Sequence, residues 1–166
     1  IITGLVGSEM CIRDSQSSDQ KTTHVVFVVD RSGSMQVENK YGIVTEQGVE
    51  EFVSKQREEE NVRFYASTFN HSNEIHFNHV DLKTVDDLTL REKFYTINPS
   101  GSTSYYDAVI EMITVVKSHY TDNDEVVICI MTDGIDNTSR YSRRDMVNMV
   151  KEVKSMGWMI VMIGTN

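Results

Sequence analysis

The chain has 166 residues, of which 39% are hydrophobic and 25% charged, as is usual for one globular domain. Its net charge of −9 argues against a nucleic acid or an anionic membrane surface as a partner. No apolar run in the sequence approaches the roughly 20 residues that span a bilayer. The two cysteines, Cys11 and Cys129, form neither a metal-binding pattern nor a disulfide framework, which favours a reducing, intracellular setting.

The first fifteen residues, IITGLVGSEMCIRDS, match no class of targeting signal, because they lack a basic start and their short apolar part is broken by glycine. They read like translated sequencing adapter, with EMCIRDS as the indicative piece. We therefore interpret 1–15 as a non-native leader, 16–23 as a polar lead-in and 24–166 as the domain. The domain ends soon after a strand-like segment, WMIVMIG, so we expect its closing helix to be missing.

The first half of the domain predicts a strand, a helix and a hairpin. The apolar run 24–30 predicts a buried strand, and apolar residues recur at helical spacing through 38–57. Residues 62–69 and 73–82 alternate like strands, with NHSN between them as the turn. Residues 84–98, which precede Pro99, predict one helical turn and a short extended piece.

The second half predicts two more helices and two more strands. Helix 104–120 carries one apolar face, formed by Val109, Met112, Ile113 and Val116. An apolar strand, 125–133, is followed by a helix that ends at Gly157 and by the strand 158–164. The order β-α-β-β-α-β-α-β predicts an α/β fold, a doubly wound and mainly parallel sheet with one antiparallel edge strand.

Oxygen-bearing side chains follow the ends of the predicted strands. Asp30-Arg31-Ser32-Gly33-Ser34 follows the first strand, Gly101-Ser102-Thr103 precedes the middle helix, and Thr132-Asp133-Gly134 follows the fourth strand. In such sheets ligands bind outside the carboxyl ends of the strands. Hydroxyl and carboxylate oxygens suit a hard cation such as Mg²⁺.

These segments resemble the von Willebrand factor type A domain and its metal-ion-dependent adhesion site, whose pattern is Asp-x-Ser-x-Ser, then Thr, then Asp. All five positions match, at Asp30, Ser32, Ser34, Thr103 and Asp133. The resemblance covers about 22–166 and departs from the usual pattern at Ser102, where a second glycine is common. It implies a Mg²⁺ or Mn²⁺ site in which Ser32 and Ser34 bind the metal directly. It also implies that Thr103 binds in the ligand-engaged state and that Asp30 and Asp133 act largely through water.

The resemblance further implies a protein partner that presents a carboxylate to the metal. Exposed aromatic and cationic side chains beside such a site are plausible anchors for a partner. The candidate rim residues flank the metal loops in sequence: Arg31, Met35, Tyr105, Tyr106, Ile135 and Asn137. Packing explains them equally well.

Three alternatives stay open. A phosphotransferase of the haloacid dehalogenase type also places an aspartate after its first strand, but it needs a second acid where this chain has Ser32. A scaffold without metal would use the same residues only as turns and caps, and Ser104-x-x-Asp107 fits a capping box for the middle helix. A zinc site at His71, His76 and His79 is disfavoured, because strand alternation sends the last two to opposite faces. Without a nucleophile–base pair in the motifs, we do not expect an enzyme.

Overall fold

The computed structural model describes residues 21–134, 136 and 138–164. Within them, one sheet is formed by β1 (Thr23–Asp30), β2 (Val62–Phe69), β3 (Asn73–Asp81), β4 (Glu125–Thr132) and β5 (Met159–Gly164). The spatial order of the strands is β3-β2-β1-β4-β5. β1 is parallel to both β2 and β4, β5 is parallel to β4, and β3 is antiparallel to β2. The predicted parallel sheet with one antiparallel edge strand is confirmed.

The helices come between these strands. A 3₁₀ segment (Gly33–Asn39) leads into one helical stretch made of α1 (Lys40–Ile43), a π-helical segment (Val44–Glu50) and α2 (Glu51–Gln56). A 3₁₀ turn (Leu82–Thr84) precedes α3 (Asp87–Phe94), and α4 (Tyr105–Lys117) and α5 (Arg143–Ser155) follow. Among the residues that the structure describes, none of these helices has the length and apolar character needed to cross a bilayer.

The core has two layers, one on each face of the sheet. Successive side chains of β1 point to opposite faces, and all five residues from Val25 to Val29 are at most 1% exposed. Val25, Phe27 and Val29 pack in one cluster with residues of α2 and α3, including Phe52 and Phe94. Val26 and Val28 pack in the other with the predicted apolar face of α4: Val109, Met112, Ile113 and Val116. Helices therefore cover both faces, as in a doubly wound fold.

Two predicted segments differ from the observed ones. Residues 84–98 contain the eight-residue helix α3 rather than a single turn. Asp86 begins this helix by accepting a hydrogen bond from the backbone N–H of Thr89 at 2.7 Å, and the helix buries Leu90 and Phe94. One i, i+4 apolar pair was too weak a pattern to predict two turns. The predicted helix 38–57 begins at Lys40, and a π-helical segment interrupts it.

A histidine cluster, formed by His24, His79 and His119, lies at the amino end of β1, away from the oxygen-rich loops. The buried His24 contacts the hydroxyl of Tyr65 through Nδ1 and a carboxylate oxygen of Asp124 through Nε2, each at 2.8 Å. The ring of His79 stacks on those of His24 and His119, with centroids 5.9 and 4.0 Å apart. The buried ring of Tyr65 packs beside both His24 and His79.

The three histidines of the disfavoured zinc alternative lie in different surroundings. His76 contacts the hydroxyl of Thr68 and the ring of Phe94, whereas His79 belongs to the histidine cluster. His71 lies beside Gly101. In the described part of the chain, no group of three His, Cys, Asp or Glu side chains could hold a metal ion.

Candidate metal centre

The candidate centre lies where parallel strands end at one edge of the sheet. Asp30 is the last residue of the central strand β1, and Thr132 is the last residue of its neighbour β4. The loop that carries Thr103 is tied to the loop after β1 by two backbone hydrogen bonds. The N–H of Gly33 donates to the carbonyl of Gly101 at 3.0 Å, and that of Ser100 donates to the carbonyl of Arg31 at 2.9 Å. The three oxygen-rich segments therefore meet, as predicted.

Asp30 is fully buried, and both of its carboxylate oxygens accept hydrogen bonds. Oδ1 accepts from the backbone N–H of Ser32, and Oδ2 accepts from the hydroxyl of Thr132, each at 2.7 Å. A buried carboxylate is costly unless it is paired or hydrogen-bonded. These two bonds fix the orientation of the Asp30 carboxylate within the edge of the sheet.

A chain of side-chain contacts links the loop after β1 to the loop after β4. The hydroxyls of Ser32 and Ser34 are 3.2 Å apart, and Ser34 donates to Asp133 Oδ1 at 2.8 Å. The other oxygen of Asp133 accepts from the ammonium of Lys40 at 2.9 Å. Ser34 and Asp133 are thus in direct contact although 99 positions separate them.

Thr103 reaches the same place from the third loop. Its side chain is buried, and Gly134 lies between it and Asp30. A β-carbon placed on Gly134 would be 3.4 Å from Thr103 Oγ1 and 3.5 Å from Asp30 Oδ2. The fold therefore brings together all five predicted positions, Asp30, Ser32, Ser34, Thr103 and Asp133.

Asn70, directly after β2, holds the Thr103 loop in place. Its carbonyl accepts from the N–H of Ser104 at 2.6 Å, and its side-chain amide donates to the carbonyl of Ser100 at 3.0 Å. Sequence reasoning placed Asn70 only in a turn. Its role was not visible there, because both contacts join residues about thirty positions apart.

The start of α4 is capped by another loop and not by its own N-cap residue. Ser104 makes no side-chain capping bond, so the capping box that Ser104-x-x-Asp107 fits in the sequence, one of the open alternatives, does not form. The N–H of Tyr106 donates instead to Asp136 Oδ2 at 2.9 Å, and that of Asp107 donates to the hydroxyl of Ser139 at 3.1 Å. The loop after β4 thus fixes the helix that follows Thr103.

Two candidate rim residues lie below the surface. Met35 is fully buried in the core cluster of α2 and α3, so it cannot present its side chain to a partner. Tyr105 is only 8% exposed, and its hydroxyl contacts the sulfur of Met162. Burial also raises the pKa of the Tyr105 hydroxyl. Both residues therefore belong to the core and not to the rim, although Met35 stands between the exposed Ser34 and Gln36 in sequence.

The other rim candidates have different surroundings. Arg31 donates to Glu74 Oε2 at 2.7 Å, and this hydrogen bond lowers the pKa of the Glu74 carboxyl. Tyr106 is half-buried beside Tyr105, with ring centroids 5.4 Å apart. Ile135 and Asn137 lie outside the described residues. Arg31 and Tyr106 therefore remain the described candidates.

The donor chemistry of this centre fits a divalent cation. It combines two carboxylates with three hydroxyls, all oxygen ligands of the kind that hard cations take. The Asp30 residue is fully buried and the Asp133 side chain is 3% exposed, and the Lys40 ammonium contacts the Asp133 carboxylate. Carboxylate and hydroxyl oxygens gathered at one edge of the sheet favour a bound cation.

Solved structures of other proteins share this fold. The D319A mutant of the PilB minor pilin from Streptococcus sanguinis is 17% identical, with a TM-score of 0.68 over 91% of this chain and 52% of the pilin. Proximal thread matrix protein 1 from the mussel byssus, with a zinc-occupied MIDAS motif, is 17% identical, with a TM-score of 0.68 over 87% of this chain and 38% of the byssus protein. Manganese-loaded TRAP protein from Plasmodium vivax is 18% identical, with a TM-score of 0.67 over 88% of this chain and 58% of the TRAP chain. The chain thus spans about half or less of the first two proteins, and two of the three carry divalent metals.

The comparison with curated proteins finds no match. The family comparison does: residues 24–166 match the von Willebrand factor type A domain. That match covers nearly all of the chain, and the sheet order and two helical layers agree with it. The chain belongs to the von Willebrand factor type A domain family.

Proposed function

We propose that this chain is a divalent-cation-dependent protein-binding module. It captures an acidic residue of a protein partner through Mg²⁺ or Mn²⁺ held at the candidate metal centre. One observation carries the proposal: three separate loops bring two carboxylates and three hydroxyls to one edge of the sheet, joined by the 2.8 Å contact between Ser34 and Asp133.

The five residues would have different roles. Ser32 and Ser34 would supply neutral hydroxyl oxygens directly, and Thr103 would do so in the ligand-engaged state. Asp30 and Asp133 would act mainly through water and hold the hydroxyls in position. A cation held largely by neutral ligands keeps most of its positive charge for the carboxylate of a partner. Arg31 and Tyr106 flank this position and are proposed as contacts of the partner.

We do not propose catalysis. Ser32 stands where a haloacid dehalogenase-like phosphotransferase needs its second acid, and its hydroxyl contacts Ser34. The acidic net charge and the proposed carboxylate ligand also make nucleic acid and membrane unsuitable partners. Turnover of a general phosphatase substrate such as p-nitrophenyl phosphate would contradict the proposal.

Thermal unfolding of the full chain with Mg²⁺, Mn²⁺ or chelator tests the metal site. A cation at about 100 times its Kd stabilises a protein by about 2.7 kcal/mol. For a domain of this size, that raises Tm by roughly 5–11 °C. Ser34→Ala and Asp30→Asn should abolish most of this rise.

Matched controls are available on the surface. Ser118→Ala removes an exposed serine hydroxyl at the end of α4, and Asp122→Asn removes an exposed acid in the following turn. Both should keep the full cation-dependent rise in Tm. If the wild-type protein folds and neither cation changes its Tm, the metal site is contradicted. The scaffold without metal is then the remaining alternative.

Capture of a carboxylate is a separate measurement. A peptide array carrying Asp or Glu, with matched Asn and Gln copies, would be probed with the full chain in Mg²⁺ and in chelator. We expect binding only to acidic members, only with cation, and not by the Ser34→Ala variant. Equal binding to acidic and amide members would contradict this step even if the metal site stands.

A further inference from the structure

The ammonium group of Lys40 lies at the candidate metal centre. Its Nζ is 2.9 Å from Asp133 Oδ2, and the other oxygen of this carboxylate accepts from Ser34. The side chains of Lys40 and Asp133 are only 20% and 3% exposed. This ion pair is therefore shielded from water far better than an ordinary surface pair.

We propose that Lys40 is a tethered cation that competes with the divalent metal for Asp133 and thereby sets the metal affinity of the site. The inference rests on the proposed function, because it concerns the same centre. It adds a residue that lies outside the five-position motif and that gave no signal in the sequence.

The competition follows from charge. An ammonium group has three donors and no lone pair, so Lys40 cannot join the ligands of a metal. A divalent cation near Asp133 would be repelled by the ammonium, and this repulsion is strong where water is excluded. A carboxylate already paired with lysine also offers less negative charge to a second cation. Metal binding at Asp133 is therefore linked to release of Lys40.

The backbone before Lys40 is unusual. Glu38 and Asn39 both have φ of 54°, in the left-handed region that non-glycine residues seldom adopt. These two residues turn the chain directly before α1, and Lys40 is the first residue of that helix. Two residues thus have disfavoured backbone conformations in the turn directly before Lys40, which contacts Asp133.

Lys40 also has space to leave Asp133. It lines a cavity of about 420 Å³ between the helical stretch and the β4–β5 side of the sheet, beside Glu38 and Gln47. The long, flexible lysine stem can therefore move into this cavity, where the Glu38 carboxylate is an alternative partner. With Lys40 at Asp133, the metal site has low occupancy. With Lys40 in the cavity beside Glu38, the metal site has high occupancy.

Titration calorimetry of Mg²⁺ and Mn²⁺ at constant ionic strength tests the inference on the full chain. Lys40→Met keeps the length of the stem and removes the charge, so we expect its metal Kd to fall about three- to tenfold. Lys40→Arg keeps the charge and should bind like the wild type. Lys55→Met, which breaks the exposed pair with Glu51 in α2, is the matched control and should also bind like the wild type.

A second measurement uses the wild-type protein and does not depend on the folding of a variant. In an NMR titration with Mg²⁺, the side-chain Cε resonance of Lys40 should shift, whereas that of Lys55 should not. Equal metal affinity of wild type and Lys40→Met, or an unmoved Lys40 resonance in a protein that binds Mg²⁺, would overturn the inference. Absence of metal binding in every variant would instead overturn the proposed function, and with it any role for Lys40 in metal binding.

Discussion

The hydroxyl of Thr132 joins the ends of two neighbouring strands. It donates to Asp30 Oδ2 at 2.7 Å and accepts from the N–H of Gly134 at 3.1 Å. One side chain at the end of β4 therefore holds both the buried carboxylate at the end of β1 and the backbone of the loop that carries Asp133. Thr132 is a positioning residue for the candidate centre.

Thr132→Val tests this role. Valine keeps the shape of threonine but leaves an oxygen of the buried Asp30 without its donor, which costs about 1–3 kcal/mol. Urea unfolding should show this loss, and the cation-dependent rise in Tm should shrink. Thr114→Val, which removes a hydroxyl that donates within α4, is the control. Equal stability of the two variants would contradict the role of Thr132.

Asp136→Ala tests the capping of α4 across loops. Loss of an N-cap interaction costs about 0.5–2 kcal/mol, and here it also frees the helix that follows Thr103. We expect urea unfolding to show that loss and calorimetry to show weaker metal binding. Ser104→Ala should affect the start of α4 less, since Ser104 makes no capping bond there. The reverse ranking would favour the alternative in which Ser104 caps the helix.

Met35→Ala distinguishes core from rim. Because Met35 is fully buried, truncation should cost about 2–5 kcal/mol, whereas Met35→Leu should cost less than about 1.5 kcal/mol. Denaturant unfolding of both variants measures the difference. A stable Met35→Ala protein would show that this side chain does not contribute to the core.

Acid should destabilise the protein through the histidine cluster. Burial lowers the pKa of His24 in spite of the nearby Asp124, and burial together with His119 lowers the pKa of His79. The unfolded chain therefore binds more protons than the folded one once the pH falls below the ordinary histidine value of 6.5. Stability is full above that pH and is lost as the pH falls through the window below it.

Urea unfolding at pH 7.5, 6.0 and 5.0 checks this expectation. The groups that face His24 and His79 include Arg63, Tyr65 and Asp124, and the pKa of the Asp124 carboxyl is lowered, so it stays charged through this range. His79→Gln should reduce the pH dependence, to which His24 still contributes, and the exposed His71→Gln should leave it unchanged. Constant or rising stability toward pH 5 would contradict the linkage.

The sequence predicted the sheet well because its strands are apolar runs with clear boundaries. Val25 to Val29 predicted a buried strand, and Asn70 to Asn73 predicted a short turn before an antiparallel partner. The length of helix α3 was underestimated, because one capped turn and the pair Leu90 and Phe94 give little helical periodicity. Local patterns predict an element only when that element buries several side chains.

The order of the motifs predicted the residues of the candidate centre. It did not predict the residues that hold them in position. Asp30, Ser34 and Asp133 match positions of a family pattern, but Lys40 and Asp136 act through contacts with residues 30 or more positions away. Met35 was misplaced for the opposite reason, because a residue next to a metal loop in sequence can point into the core. Proximity in the chain predicts position at a strand end but not the direction of a side chain.

β1 has a buried ionisable group near each end, His24 and Asp30. Five residues of extended chain lie between them, so they are about 20 Å apart, which is beyond the range at which energetic effects usually couple. Protons act at one end and, in the proposed function, divalent cations act at the other. The losses of unfolding free energy caused by mild acid and by chelator should therefore add. We expect both to appear in one cooperative melting curve, as independent effects on the two ends of the same strand.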